Sequence, residues 1–112
     1  MDNSYANIVA FPGGGQQAVT NVTASTVTVT AATAADSVTL PQAAPGLAYD
    51  LVNIGANSAN VFGAKAVNPI TGQLDTINGT VGTTALALAS HKSATFLCTA
   101  AGAWFTNPYV PS

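Results

Sequence analysis

Residues 18–32 read AVTNVTASTVTVTAA, valine alternating with threonine, and this period of two constrains the fold more than any other feature of the chain. Successive side chains of a strand point to opposite faces, so the pattern specifies one apolar face and one hydroxyl-bearing face. Branching at Cβ penalises a helix at the same positions. A turn or bulge is expected near Ala24-Ser25.

Similar runs follow at short intervals. Asp36-Ser37-Val38-Thr39-Leu40 closes on Pro41, and QAAPG is a turn that leads into LAYDLVNIG. In that run Leu47, Tyr49, Leu51 and Asn53 share one face, and Ala48, Asp50, Val52 and Ile54 the other. Gly55-Ala56-Asn57-Ser58 has turn chemistry and ANVFGAKAV reads as a returning strand, which predicts a β-hairpin over 47–67. NPITGQ is a loop, LDTING runs into a tight turn at Asn78-Gly79, and TTALALAS and KSATFLCT flank Ser90-His91-Lys92. A terminal hairpin is expected where SATFLCT, with Ala94, Phe96 and Cys98 on one face, turns at Ala101-Gly102 into AWFTN. The single tryptophan, Trp104, would then close the core.

About eight short strands at a spacing of roughly ten residues, with no amphipathic helix among them, predict an all-β fold: a single β-sandwich or jelly-roll-like barrel of antiparallel strands. Residues 1–18 combine Ile8, Val9 and Phe11 with Pro12 and Gly13-Gly14-Gly15, so they read as an extended N-terminal arm and Gly-rich hinge. That arm either packs on a neighbouring subunit or tucks against its own domain. Residues 19–112 form the domain, with a short C-terminal tail.

Charge narrows the functional classes. Only 5% of residues are charged, two lysines and four acidic residues among 112, against about 25% in ordinary soluble domains. Such a chain presents Thr, Ser, Asn and Ala to water or covers itself with other subunits. With Lys65 and Lys92 as the only basic side chains, no patch can neutralise a run of phosphates, so neither nucleic acid nor an anionic membrane is an expected partner. Every apolar stretch is interrupted well before the roughly 18 residues of a membrane helix. The opening MDNSYANIVAFPGGG lacks the basic and long apolar parts of a secretory signal.

The sequence offers little for catalysis. His91, the only histidine, falls in a turn, and a Ser-His or Cys-His pair requires a serine or Cys98 to approach it. Cys98, alone and on the face of Phe96, reads as a small buried hydrophobe. The aspartates stand at 2, 36, 50 and 75 and read as isolated surface or turn carboxylates. Gly13-Gly14-Gly15 lacks the Lys-Ser/Thr of a phosphate-binding loop, and no metal or cofactor site is signalled. The expected contact residues are instead apolar: Ile8, Val9 and Phe11 in the arm, and Phe105 and Tyr109 near the C-terminus. Phe105 falls on the face opposite Trp104, and Tyr109 sits between prolines.

GLAYDLVNIGANSANVFGA, LDTING and SATFLCTAAGAWF together resemble the idiom of small tailed-bacteriophage virion proteins, in particular the head decoration, or cement, proteins. The resemblance covers residues 46–106. It implies a β-sandwich or jelly-roll protein, non-enzymatic, made in the host cytoplasm and seated on the capsid surface. Its partners would be the major capsid protein and itself, as a homo-oligomer, a trimer or dimer. Phage tail and fibre domains share the idiom, so a small receptor- or carbohydrate-binding module is the alternative.

Overall fold

The computed structural model describes residues 5–10, 25–31, 36–81 and 84–107. Ten strands are found among them: β1 (Tyr5–Val9), β2 (Thr26–Thr30), β3 (Asp36–Thr39), β4 (Ala48–Asn53), β5 (Ala59–Phe62), β6 (Thr76–Ile77), β7 (Thr80–Val81), β8 (Leu86–Leu88), β9 (Ser93–Ala100) and β10 (Ala103–Asn107). The described residues contain no helix, as the β-branched alternation requires.

The pairing of these strands overturns the expected antiparallel sandwich or jelly roll. A mixed seven-stranded sheet has the order β1-β2-β4-β9-β10-β6-β7, and a second sheet has the order β3-β5-β8. Within them β1, β2 and β4 are parallel neighbours, and so are β3 and β5. Between β2 and β5 the chain therefore winds as a β-solenoid, visiting the large sheet, the small sheet, and then each again. Asp50 lies beside Thr26, 24 positions earlier in the chain, and Ala59 beside Asp36, 23 positions earlier. Antiparallel strands then close the coil, β9 on β4 and β8 on β5.

The hairpin expected over 47–67 is likewise replaced: β4 and β5 sit in different sheets, and the connection between them is a corner of the coil. Two side-chain features make that corner. Fully buried Asn53 donates through Nδ2 to the Asn57 and Leu88 carbonyls (2.7 and 2.9 Å) and accepts the Gly55 amide at Oδ1 (2.9 Å). Gly55 lies so close to the corner of the preceding rung that a Cβ there would stand 2.5 Å from the Ala31 nitrogen. A turn whose interior is filled by its own asparagine directs the chain across to the other sheet instead of back along the first.

Tyr5–Val9, expected as part of an extended arm that packs on a neighbouring subunit or tucks against its own domain, forms the first strand of the large sheet. Apart from Tyr5–Val9 and Ala10, residues 1–18 lie outside the described residues, as does the part of the Val/Thr run before Ser25.

Local expectations near the C-terminus hold. β9 and β10 pair antiparallel, and Ala94, Phe96, Cys98 and Trp104 are buried together. Asn78 and Gly79 both have positive φ (52° and 83°) and join β6 to β7, the conformation that makes Asn-Gly a favoured two-residue turn. The core lies inside the coil, with Val27, Val29, Leu51, Phe96 and Trp104 facing inward from the large sheet, and Val38, Val61 and Leu88 from the small one. Tyr49 packs tilted on Trp104, ring centroids 5.7 Å apart, a geometry that suits the quadrupoles of both rings.

Candidate functional site

The large sheet buries one face, and its other face is the surface on which function can be built. Alternation places Thr26, Thr28 and Thr30 outward on β2 while Val27 and Val29 are buried, and it does the same on every long strand of the sheet. Register then aligns the outward residues in rows. One row runs Tyr5, Thr26, Asp50, Thr95 and Asn107 across five strands, and Ala48, Leu97 and Phe105 form another beside it.

The face is nearly free of charge yet strongly apolar in places. Tyr5 (63%), Val9 (66%), Leu97 (40%) and Phe105 (48%) stay exposed on it, with Ile54 at the end of β4. Single exposed apolar residues are ordinary, whereas several on one flat surface form the kind of patch that a partner covers. Hydrogen bonds fix the polar positions between them. Thr28 donates to Asn7 Oδ1 (3.0 Å), so the Tyr5 hydroxyl, 3.0 Å from Thr28 Oγ1, is the donor in that contact.

A shallow concavity of about 280 Å³ opens on this face, lined by Asp50, Val52, Ser93, Ala94, Thr95 and Asn107. Thr95 donates its hydroxyl to Asp50 Oδ1. Among the described residues the other Asp50 oxygen, the Ser93 hydroxyl and the Asn107 amide have no side-chain partner. Three polar groups thus converge beside exposed Leu97 and Phe105, the composition of a recognition surface.

The expected contact residues divide between locations. Phe105 is on the outer face as its position opposite Trp104 predicts. Val9 is also outward but on β1, four strands from β10, or about 19 Å at the usual strand spacing. Ile8 is half-buried, its side chain packed against the core. Phe11 and Tyr109 lie outside the described residues. Tyr5, Asp50, Ile54, Leu97 and Asn107 were missed, although extending the in-out alternation of each strand to its polar side would have found them.

Two of the aspartates correct the reading of isolated surface carboxylates. Asp36 and Asp75 are buried. Asp75 Oδ2 accepts the Ala43 amide (2.7 Å) and its Oδ1 accepts Asn68 Nδ2 (3.0 Å), and the same Nδ2 also reaches the Ala43 carbonyl (3.0 Å). A carboxylate so enclosed holds a loop in place.

A serine does approach His91: Ser90 Oγ lies 2.8 Å from its Nδ1. That hydroxyl, however, donates to the Gly55 carbonyl, so the ring nitrogen is the donor, whereas an activated nucleophile needs the opposite arrangement. Burial pushes the Cys98 thiol above its ordinary range, Asp75 adds to the effect, and backbone hydrogen bonds offset part of it. This is the environment of an inert thiol. Among the described residues no cluster of three His, Cys, Asp or Glu side chains could hold a metal ion. No helix there is long and apolar enough to cross a membrane.

None of the family models, curated proteins or solved structures compared with this chain matches it.

Proposed function

We propose that this chain is a non-enzymatic structural protein of a virion, a capsid decoration protein that seats on the outer surface of a phage head as a homo-oligomer and braces the shell. The observation that carries the reading is the outer face of the large sheet, where Tyr5, Val9, Ile54, Leu97 and Phe105 stand exposed among threonines, with Asp50 the one acidic side chain there among the described residues. A surface of this kind gains by covering area and pairing hydroxyls, and gains little from long-range charge steering. Binding repeated over many lattice sites stabilises an assembled shell by mass action. The major capsid protein is the partner, and synthesis is in the host cytoplasm.

The test is cosedimentation with expanded, undecorated heads. Wild-type protein should bind saturably in a fixed ratio to the capsid protein, and the double variant Tyr5→Ser/Val9→Ser, at exposed positions of β1, should lose most of that occupancy while keeping its near-UV circular dichroism. Full occupancy by the folded variant removes this face from the mechanism.

One observation favours a second reading, a small carbohydrate-binding module of the tail. Asp50, Ser93 and Asn107 offer unpaired polar atoms in a concavity beside Phe105, a pairing of hydrogen-bonding groups with an aromatic ring that suits sugars. Saturable glycan binding by the isolated protein, abolished by Asn107→Ala, would select it.

A further inference from the structure

The concavity has a counterpart elsewhere on the same chain. After β5 the segment 65–72 forms a loop carrying one of only two cations in the sequence, Lys65, together with exposed Val67 (52%) and Ile70 (72%). Lys65 has no ion-pair partner among the described residues, and neither has Asp50.

This loop is held rigidly. Buried Asn68 receives the Ile70 amide at Oδ1 (3.0 Å) and anchors through Nδ2 to Asp75 and Ala43, while its backbone bonds both Gln73 and Gly72 (2.9 and 2.8 Å). The buried network therefore presents Ile70 on a fixed backbone, which lowers the ordering cost of docking.

Position forbids the loop from reaching the concavity of its own chain. Gly102, in the β9–β10 turn, donates to Ala43 (3.1 Å), and a Cβ on it would meet Thr71 of the loop at 2.9 Å, so the loop sits at that turn. Ser93 and Asn107, which line the concavity, are at the opposite ends of β9 and β10. A lone cation flanked by apolar side chains is thus at one end of the molecule. The carboxylate of Asp50, beside Leu97 and Phe105, faces out nearer the other.

We propose that loop 65–72 of one copy docks on the outer face of a second copy, with Lys65 entering the concavity to pair with Asp50 and with Val67 and Ile70 covering Leu97 and Phe105. The occupant is a second copy because the two patches match in both charge and apolar character on a chain whose other charged side chains are Asp2, Asp36, Asp75 and Lys92, with Asp36 and Asp75 buried. Contact between two different patches is heterologous, so the assembly grows head to tail and closes into a ring where the rotation permits. The inference rests on the homo-oligomeric part of the functional reading and supplies its interface.

Light scattering on the purified protein tests it. Wild-type protein should have a mass that is a multiple of the 11.1 kDa chain. Lys65→Glu and Asp50→Lys should each weaken self-association by about tenfold or more, and the double variant Asp50→Lys/Lys65→Glu should recover most of the loss, since reversed charges still match. Ile70→Asp, at an exposed position, should dissociate it as well with near-UV circular dichroism unchanged, and Asp50→Asn keeps an acceptor for Thr95 should Asp50→Lys fail to fold. A monomeric wild type overturns the proposal. So do an oligomer indifferent to all these changes, one sensitive to Lys92→Glu in place of Lys65→Glu, and a concavity that binds glycan without altering the mass. A monomer that still cosediments with heads refutes the interface alone, whereas an oligomer that ignores heads refutes the decoration role alone.

Discussion

Replacing Asn53 by alanine should remove a large fraction of the stability of this fold. The side chain is fully buried and makes three hydrogen bonds, to the Asn57 and Leu88 carbonyls and from the Gly55 amide. Truncation removes all three bonds, two of them, to the Leu88 carbonyl and from the Gly55 amide, in buried surroundings. At about 1–3 kcal/mol for each of these two buried groups, the loss is about 4 kcal/mol. A domain of this size holds only about 5–15 kcal/mol in total. Urea denaturation followed by emission of Trp104, itself buried, reads the change directly. Protein concentration is held fixed, since the proposed self-association would shift the midpoint. The exposed Thr99→Ala serves as control and should stay within about 0.5 kcal/mol of wild type. Asn53→Asp sharpens the test. Its carboxylate would face two carbonyl oxygens, which favours the protonated form and raises the folded pKa above that of the unfolded chain. The folded state then binds more protons, so this variant should be most stable below about pH 4 and lose stability as pH rises. An Asn53→Ala protein within about 1 kcal/mol of wild type, at unchanged denaturant slope, would refute the claim that this asparagine builds the corner.

Gly55→Ala should cost about 2–3 kcal/mol or more in the same assay, because the added methyl meets the Ala31 backbone and cannot be accommodated by a side-chain rotation; a loss below about 0.5 kcal/mol would mean that the stacked corners separate freely. Cys98 should react with aromatic disulfides only as fast as the sheet opens, and urea should accelerate the reaction sharply; rapid labelling of the native protein would contradict its burial. Because burial raises the folded pKa of that thiol, the folded state keeps a proton that the unfolded chain releases. Its contribution is full below the unfolded pKa and is lost as pH rises through the folded value, so alkaline destabilisation should be smaller in Cys98→Ala than in wild type.

How much of this was legible beforehand depended on the range of the interaction. The β9–β10 hairpin and the Asn78-Gly79 turn were readable because their determinants lie within a few residues: alternation on both sides and positive φ at two positions. The inward placement of Leu51 and Phe96 and the outward placement of Asp50 and Phe105 followed from the same alternation. The site was half legible for the same reason, since the pattern names the outward residues but not their neighbours across strands.

What the sequence by itself determined is therefore local: strands, their in-out phase, and the tight turns. Only the tertiary structure decided which strands are neighbours. A period of two is identical in a parallel coil and in an antiparallel sandwich, and GANS is as plausible in a hairpin as at a solenoid corner. The deciding contacts, Gly55 against Ala31 and Asn53 against Leu88, join residues 24 and 35 positions apart. A faint signal existed in the offset that sets Ala31 with Gly55 and Val38 with Val61. The rungs share side-chain size and polarity more than identity, because stacking one strand on the next asks only that the same positions point inward.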